Sequence, residues 1–304
     1  MGSMEGKVVL ITGAARGQGR SHAIRLAEAG ADIIATDICA PIPLVRYPMA
    51  DSEDLAETVR EVEKRGRRCL AYEADSRDAA RMRDVLADAV RTLCRLDTVV
   101  VNHGINVPHQ PTDDGVDDVW DVVIDVQLTS VWRTISASLD HLTENGGSIV
   151  VTSSAAGLIG ISGNMAYAAA KHGLIGLVKA LAQDLGRYNI RVNAVCPGTV
   201  NTMLTFNEHN LGMFMPGRDD AGYSDMDWAL EALNILPVRW VDAEAISEAV
   251  LYLSADSGKF VTGIALPVDA GMSTQAPGVN AVIGKRLYEL GQAAGQDWFR
   301  PARA

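Results

Sequence analysis

Hydrophobic positions along this chain alternate between two spacings. Lys7-Val8-Val9-Leu10-Ile11-Thr12 is a β-branched apolar run that stops at Gly13, which predicts a strand covered on both faces, as in a parallel sheet. Beyond a glycine-rich turn, Ala23, Ile24, Leu26 and Ala27 share one side of a helix predicted from Ser21 to Ala29 and ended by Gly30. Ala31 to Thr36 reads as a second strand. Helical spacing from Asp54 to Arg65 then precedes a strand at Cys69 to Glu73, and a helix from Arg77 to Leu93 precedes Thr98 to Val101. One long helix around Val119 to Leu139 precedes a strand at Ser148 to Thr152, and another from Asn164 to Leu185 precedes Ile190 to Val195. Ala243 to Leu253 is the last helix and Ile264 to Val268 the last strand, which Pro267 places at a sheet edge. Seven strands separated by helices predict a doubly wound α/β fold: an open parallel sheet with helices on both faces.

Three segments break the rhythm. Residues 38–52, with Pro41, Pro43 and Pro48, make a connection longer than a strand and its helix need. Residues 203–237 are rich in Met and aromatic side chains, among them Phe206, Met213, Phe214, Met215, Tyr223, Met226 and Trp228. We read their apolar surface as a lid over a substrate, with core packing or a subunit contact as the alternative. A tail follows residue 275, with a short helix expected at Lys285 to Gln292, and Trp298 and Phe299 too apolar for it to bury alone. No linker divides residues 4–275, which are expected to form a single domain, with 276–304 as an extension.

Composition narrows the function. A net charge of -11 without a basic cluster argues against nucleic acid and anionic membranes, leaving small-molecule chemistry. Cys39, Cys69, Cys94 and Cys196 have no zinc or redox spacing and read as buried small hydrophobes in a reducing cytosol, and no metal site is expected. Met1-Gly2-Ser3 reads as a cloning remnant before a native Met4, and no stretch is long and apolar enough to be a signal or membrane span, so a cytoplasmic protein is expected.

Candidate chemistry sits where strands end. Thr12-Gly13-Ala14-Ala15-Arg16-Gly17-Gln18-Gly19 joins the first strand to a helix, where glycines let backbone N–H groups approach a pyrophosphate at the positive helix end. Asp37, ending the second strand, is placed to accept hydrogen bonds from adenosine ribose hydroxyls and to repel a 2′-phosphate, which favours NAD. Arg16 points the other way, since a cation there can pair with the phosphate of NADP; we weight Asp37 more, because an unneeded Arg can turn to solvent. Tyr167 and Lys171, at i and i+4, share a helix face, so the ammonium is expected to lower the phenol pKa. Ser154 is placed to donate to the same substrate oxygen.

With these residues the chain resembles the classical short-chain dehydrogenases/reductases, from Met4 to about Thr274. The likeness rests on the Thr12-to-Gly19 turn, Asp75, Asn102-His103-Gly104, Ser154, Tyr167 with Lys171, and Pro197-Gly198 with Thr202. It implies a single-domain Rossmann fold and a hydride transfer between NAD and a secondary alcohol or ketone. Tyr167 would be the general acid/base, Ser154 would polarise the carbonyl, and Lys171 would bind the nicotinamide ribose. Cofactor contacts are implied for Gly13, Arg16, Gly17, Gln18, Gly19, Asp37, Ile38, Asp75 (to adenine), Ser76, Asn102, Gly104, Pro197 and Gly198, with Val200 and Thr202 on the carboxamide. The resemblance also implies a homotetramer built on the two long helices and the last strand. Two residues depart from the pattern. His103 stands where the family has Ala, read as a tolerated substitution, and Gln127 stands for the catalytic Asn that holds a water in the proton relay, implying an intact relay with shifted geometry.

A narrower likeness, carried by Gly13 to His22, Asp37 to Pro41, Tyr47 to Ala50 and Asp54 to Thr58, is to the actinobacterial carveol-dehydrogenase-like branch associated with the redox cofactor mycofactocin. It implies that residues 38–52 cover the adenosine end of an NAD that stays bound through turnover, and an apolar alicyclic or terpenoid-like substrate. The alternatives are an ordinary reductase with exchanging NAD(P)H and a non-catalytic NAD-binding sensor. An extended-family sugar epimerase would need a larger carboxy-terminal domain.

Overall fold

A computed structural model describes residues 2–215 and 220–275, the Met213 side chain excepted. In chain order the elements are β1 (Val8–Thr12), α1 (Gly17–Glu28), β2 (Asp32–Asp37), α2 (Ser52–Glu63), β3 (Cys69–Glu73), α3 (Ala79–Leu93), β4 (Thr98–Val101), α4 (Val116–Ile124), α5 (Ser130–Leu142), β5 (Gly147–Thr152), α6 (Met165–Leu185), β6 (Ile190–Pro197), α7 (Glu208–Phe214), α8 (Asp227–Ala232), α9 (Ala243–Ser254) and β7 (Ala265–Val268). All seven strands are parallel, in the order β3-β2-β1-β4-β5-β6-β7. Pro267 does lie on an edge strand.

Alternating residues of the central strands feed two cores. Val8, Leu10, Val99, Val101, Ile149 and Val151 face α3, α5 and α6, while Val9, Ile11, Val100 and Val150 face α1, α2 and α9. Both faces are thus covered, and strands such as β1 are buried at every residue, which explains their unbroken apolar run. Helix starts follow local chemistry. Asp51 forms a capping box with Asp54 at α2, and the Asp78 carboxylate accepts the N–H groups of Ala80 and Arg81 at α3.

The structure corrects three readings. Helix α1 begins at Gly17, inside the glycine turn, rather than at Ser21. The long helix expected around Val119 to Leu139 is two helices joined by a π turn over Asp125–Thr129, where the Ser130 N–H reaches back to the Asp125 carbonyl. Cys94 is exposed, because it ends α3 in the left-handed conformation, and Cys39 is half-buried; Cys69 and Cys196 are buried. The expected tail helix, Trp298 and Phe299 lie outside the described residues. Among those described, no helix is long and apolar enough to cross a membrane.

Candidate active site

Between β1 and β4 the strand order reverses, and the carboxyl ends of these strands diverge into a crevice, the usual ligand site of such sheets. A cavity of about 380 Å³ opens there, lined by the glycine turn, the ends of β2, β3 and β4, residues of the 38–52 segment, and Thr202 to Leu204.

The turn fits a dinucleotide. A Cβ on Gly19 would sit 1.9 Å from the Gly13 carbonyl oxygen, so only glycine lets the first turn of α1 close on β1 and aim its free N–H groups at the cavity. Gly13, Arg16, Gly17 and Gln18 line the cavity. Asp37 is buried beside it; its carboxylate accepts the Ala15 N–H at 3.0 Å and the Cys39 N–H at 3.3 Å, which leaves lone pairs for ribose hydroxyls. Burial raises its pKa, which these backbone bonds and Arg16 oppose. Arg16, which lines the cavity, donates through its guanidinium to the Pro48 carbonyl of the 38–52 segment.

On the opposite wall Ile38, Asp75, Ser76, Asn102 and Gly104 also line the cavity. Asp75 holds Arg77 through both carboxylate oxygens and is kept below the usual carboxylate range by it, against the opposing effect of burial. Asn102 Nδ2 donates to the Thr12 and Gly13 carbonyls at 3.2 Å each, tying β4 to the turn. Thr202 lines the cavity too, whereas Pro197, Gly198 and Val200 lie behind it, at the end of β6. Val200 there is bridged to Val241.

Ser154, Tyr167 and Lys171 do not line this cavity but adjoin it. Tyr167 packs in one cluster with the lining residues Ile38, Ile42, Met49, Ile105 and Val126. Ser154 follows β5; its Oγ accepts the Ala156 N–H at 3.1 Å, and its hydroxyl lies near enough to Tyr167 to oppose the rise of the phenol pKa. Lys171, one turn along α6, lies with Nζ 5.4 Å from the Tyr167 ring centre and donates to the Thr152 carbonyl at 2.8 Å. Ser153 Oγ donates to the Lys171 carbonyl at 2.9 Å and so fixes α6 against β5.

The expected lowering of the Tyr167 pKa by Lys171 is not what this geometry produces. Burial dominates, pushing the phenol up to about 12, and the Ser154 hydrogen bond is what pulls it down. Burial also pushes Lys171 down to about 7. A protonated phenol therefore stands beside an amine whose charge is disfavoured by burial. Gln127 is buried in the π turn, where its Nε2 donates to the Ile105 carbonyl and its Oε1 has no partner. A Cβ on Gly104 would come within 2.7 Å of that oxygen.

Two excursions reach the site. Residues 38–52 lie against it through Ile38, Ile42, Val45 and Met49, which pack on Ile105, Val119, Val122, Val123 and Tyr167. Tyr47 Oη accepts the Asn106 N–H at 3.2 Å. The segment thus reaches Tyr167, farther than the adenosine-end cover that its sequence suggested, and Tyr47 lines the cavity, a residue not singled out as a site candidate from sequence. The 203–237 segment mostly packs on itself. Met215, Met226 and Leu230 form its core, and Phe206 meets Tyr223 and Trp240 edge-on at 6.0 and 5.4 Å. Among the described residues of that segment, Met203 and Leu204 line the cavity.

The family model for short chain dehydrogenases matches residues 7–210. The chain belongs to that family. This dehydrogenase is 42% identical over 273 residues to the (-)-trans-carveol dehydrogenase of Rhodococcus erythropolis, covering 89% of this chain and 99% of that one. It is 34% identical over 266 residues to the trans-4-hydroxycyclohexanecarboxylate dehydrogenase of Sinomonas cyclohexanicum, covering 87% and 92% of the two chains. The crystal structure of carveol dehydrogenase from Mycobacterium avium in complex with NAD has 44% identity and a TM-score of 0.88, covering 90% of this dehydrogenase and 100% of that chain. The carveol-dehydrogenase-like resemblance and the Rossmann-type fold are both borne out.

Proposed function

We propose that the chain is an NAD-dependent oxidoreductase of secondary alcohols and ketones, with Tyr167 as its general acid/base. One observation carries this reading: Tyr167, with Lys171 Nζ 5.4 Å from its ring centre and Ser154 beside it, packs against the lining of a cavity that the glycine turn and Asp37 suit to a dinucleotide. NAD is the cofactor. It is held by the Gly13-to-Gly19 turn and by Asp37, whose buried carboxylate disfavours a 2′-phosphate. When bound, it supplies a hydride acceptor or donor.

The chain's own residues handle the proton. In ketone reduction the Tyr167 phenol, protonated at neutral pH, donates to the substrate oxygen while the Ser154 hydroxyl polarises the same atom. In alcohol oxidation Tyr167 must first lose that proton, and a positive charge on Lys171, with Nζ 5.4 Å from the ring centre, favours the phenolate. The unpaired Gln127 Oε1 offers an acceptor for a relay water, so the relay is retained with a longer side chain.

The substrate is an apolar alicyclic or terpenoid-like alcohol, a reading supported by the relatives that act on carveol and on a substituted cyclohexanol and by Ile105, Met203 and Leu204 at the cavity. The strap of residues 38–52 retains NAD, which an external acceptor such as mycofactocin reoxidises. The ties from Arg16 to Pro48 and from Asn106 to Tyr47 support retention. A cytoplasmic homotetramer assembled on α4, α5, α6 and β7 completes the reading, supported by the exposed Trp120, Trp132, Phe260 and Ile264 on or beside those elements.

Mass spectrometry of nucleotide released from dialysed, denatured protein tests retention. Stoichiometric NAD, with turnover of alicyclic alcohols only when an artificial electron acceptor is added, is the expected result. An empty protein that turns over added NADH overturns retention and leaves an ordinary exchanging reductase. Failure to oxidise or reduce any alcohol or ketone despite bound NAD would leave the sensor reading.

A further inference from the structure

His103 departs from its family's usual Ala, and the structure shows what it touches. Its Nδ1 lies 2.7 Å from Thr12 Oγ1 and its Nε2 2.7 Å from Ser130 Oγ. The hydrogen positions follow from the partners. Ser130 Oγ donates to the Val126 carbonyl at 2.6 Å, and a carbonyl can only accept, so the Ser130 oxygen is left to accept from His103 Nε2–H. His103 Nδ1 then carries a lone pair and accepts the Thr12 hydroxyl proton, while Thr12 Oγ1 accepts the Asn102 N–H at 3.1 Å. Every member is satisfied with the imidazole neutral. The bridge runs from the end of β1, through the end of β4, to the first residue of α5.

Its far end sits at the π turn. In an α-helix the Ser130 N–H would donate to the Val126 carbonyl; here it goes to Asp125 instead, and the Ser130 hydroxyl takes the place it left. That turn carries Gln127, whose amide reaches Ile105, two residues beyond His103, and whose oxygen crowds Gly104. His103 thus fixes the Ser130 rotamer, Ser130 satisfies the carbonyl that the π register would strand, and that register aims Gln127.

We propose that His103 and Ser130 act as one unit that positions Gln127 through the π turn, making both positioning residues for proton transfer. The inference rests on the dehydrogenase reading above for its kinetic consequence, and on the hydrogen-bond network alone for its structural one.

The test is a set of variants on the holoenzyme: His103→Ala, Ser130→Ala, Gln127→Ala and the doubles. His103→Ala and Ser130→Ala are each expected to lower kcat about ten- to a hundred-fold, with NAD content and KM little changed, and the double variant to be no worse than the poorer single. In the Gln127→Ala background His103→Ala should add no further loss. A fully multiplicative loss on that background would overturn the proposal, because it would mean that His103 acts independently of Gln127. Crystal structures of the two single variants give a readout that does not require activity. The Gln127 amide is expected to leave the Ile105 carbonyl, and an amide unmoved in both would also overturn the proposal. If the wild type turns over no alcohol, yet the variants displace Gln127, the dehydrogenase reading fails while the positioning unit stands.

Discussion

Replacing Lys171 by methionine should stabilise the folded protein at neutral pH while abolishing turnover. The side chain is 3% exposed, and burial brings its pKa from an ordinary 10.5 to about 7. Unfolded chains carry the ammonium up to pH 10.5, so between pH 7 and 10.5 the unfolded state binds more protons and wild-type stability rises with pH. Below pH 7 both states are charged and the full penalty applies. At about 1.4 kcal/mol per pH unit, the interval comes to roughly 5 kcal/mol. Methionine fills a similar volume but leaves the Thr152 carbonyl without the Lys171 donor, which costs about 1–3 kcal/mol. Lys171→Met is therefore expected to be more stable at pH 6–7 by about 2–4 kcal/mol, with the advantage shrinking at higher pH and vanishing before pH 10.5. Urea unfolding of both proteins, stripped of bound NAD and at matched subunit concentration, from pH 6 to 10, measures the difference and cancels groups common to both. A difference that stays flat with pH, or a variant less stable throughout, would refute the argument that a buried, partly neutral amine is held here at the expense of stability.

Other outcomes follow from the same geometry. Tyr167→Phe removes the acid/base and should cut kcat by about a thousand-fold, with NAD content unchanged by mass spectrometry. Arg16→Ala frees Pro48 and should speed NAD release about fivefold, for a loss near 1 kcal/mol, read by loss of bound nucleotide on dilution. Asp37→Ser should shift cofactor preference toward NADP, seen as a raised ratio of NADP to NAD affinity by calorimetry on stripped protein. Asp51→Ala breaks the α2 capping box and should cost about 1 kcal/mol in chemical denaturation, without altering kcat.

The sheet was legible because its signals are local. A β-branched run bounded by glycine means a covered strand wherever it lies in the chain, and β3 and β4 fall where their apolar runs put them. Tyr167, Lys171 and Ser154 were legible for a different reason, since helix pitch and a strand end fix their relation before any tertiary contact forms. What escaped needed long-range contacts. The Tyr167 pKa is set by how much protein surrounds the phenol, which no spacing encodes. Arg16 meets Pro48 across 32 positions. Tyr47 reaches the site because its segment folds back over Ile105, and Phe206, Phe214, Met215 and Met226 pack on one another rather than on the cavity.

The wide turn between α4 and α5 also leaves a mark on the arithmetic of the helix surface. Val119, Val122, Val123 and Val126 form one inward stripe, and continuing it at 3.6 residues per turn would place the next inward positions near 130, 133 and 137. On α5 the large apolar residues of the buried face, Val131, Ile135 and Leu142, fall about one residue late, with Ser130, Thr134, Ala137 and Ser138 buried between them. The chain carries a spare residue at 125–129, and the two halves are rotated against each other by about 100°. A one-residue deletion there is expected to bring the large apolar residues of the two helices closer to one face of a plain helix. The extra residue sits at the turn that holds Gln127, so a change of length at 125–129 is expected to re-aim the site.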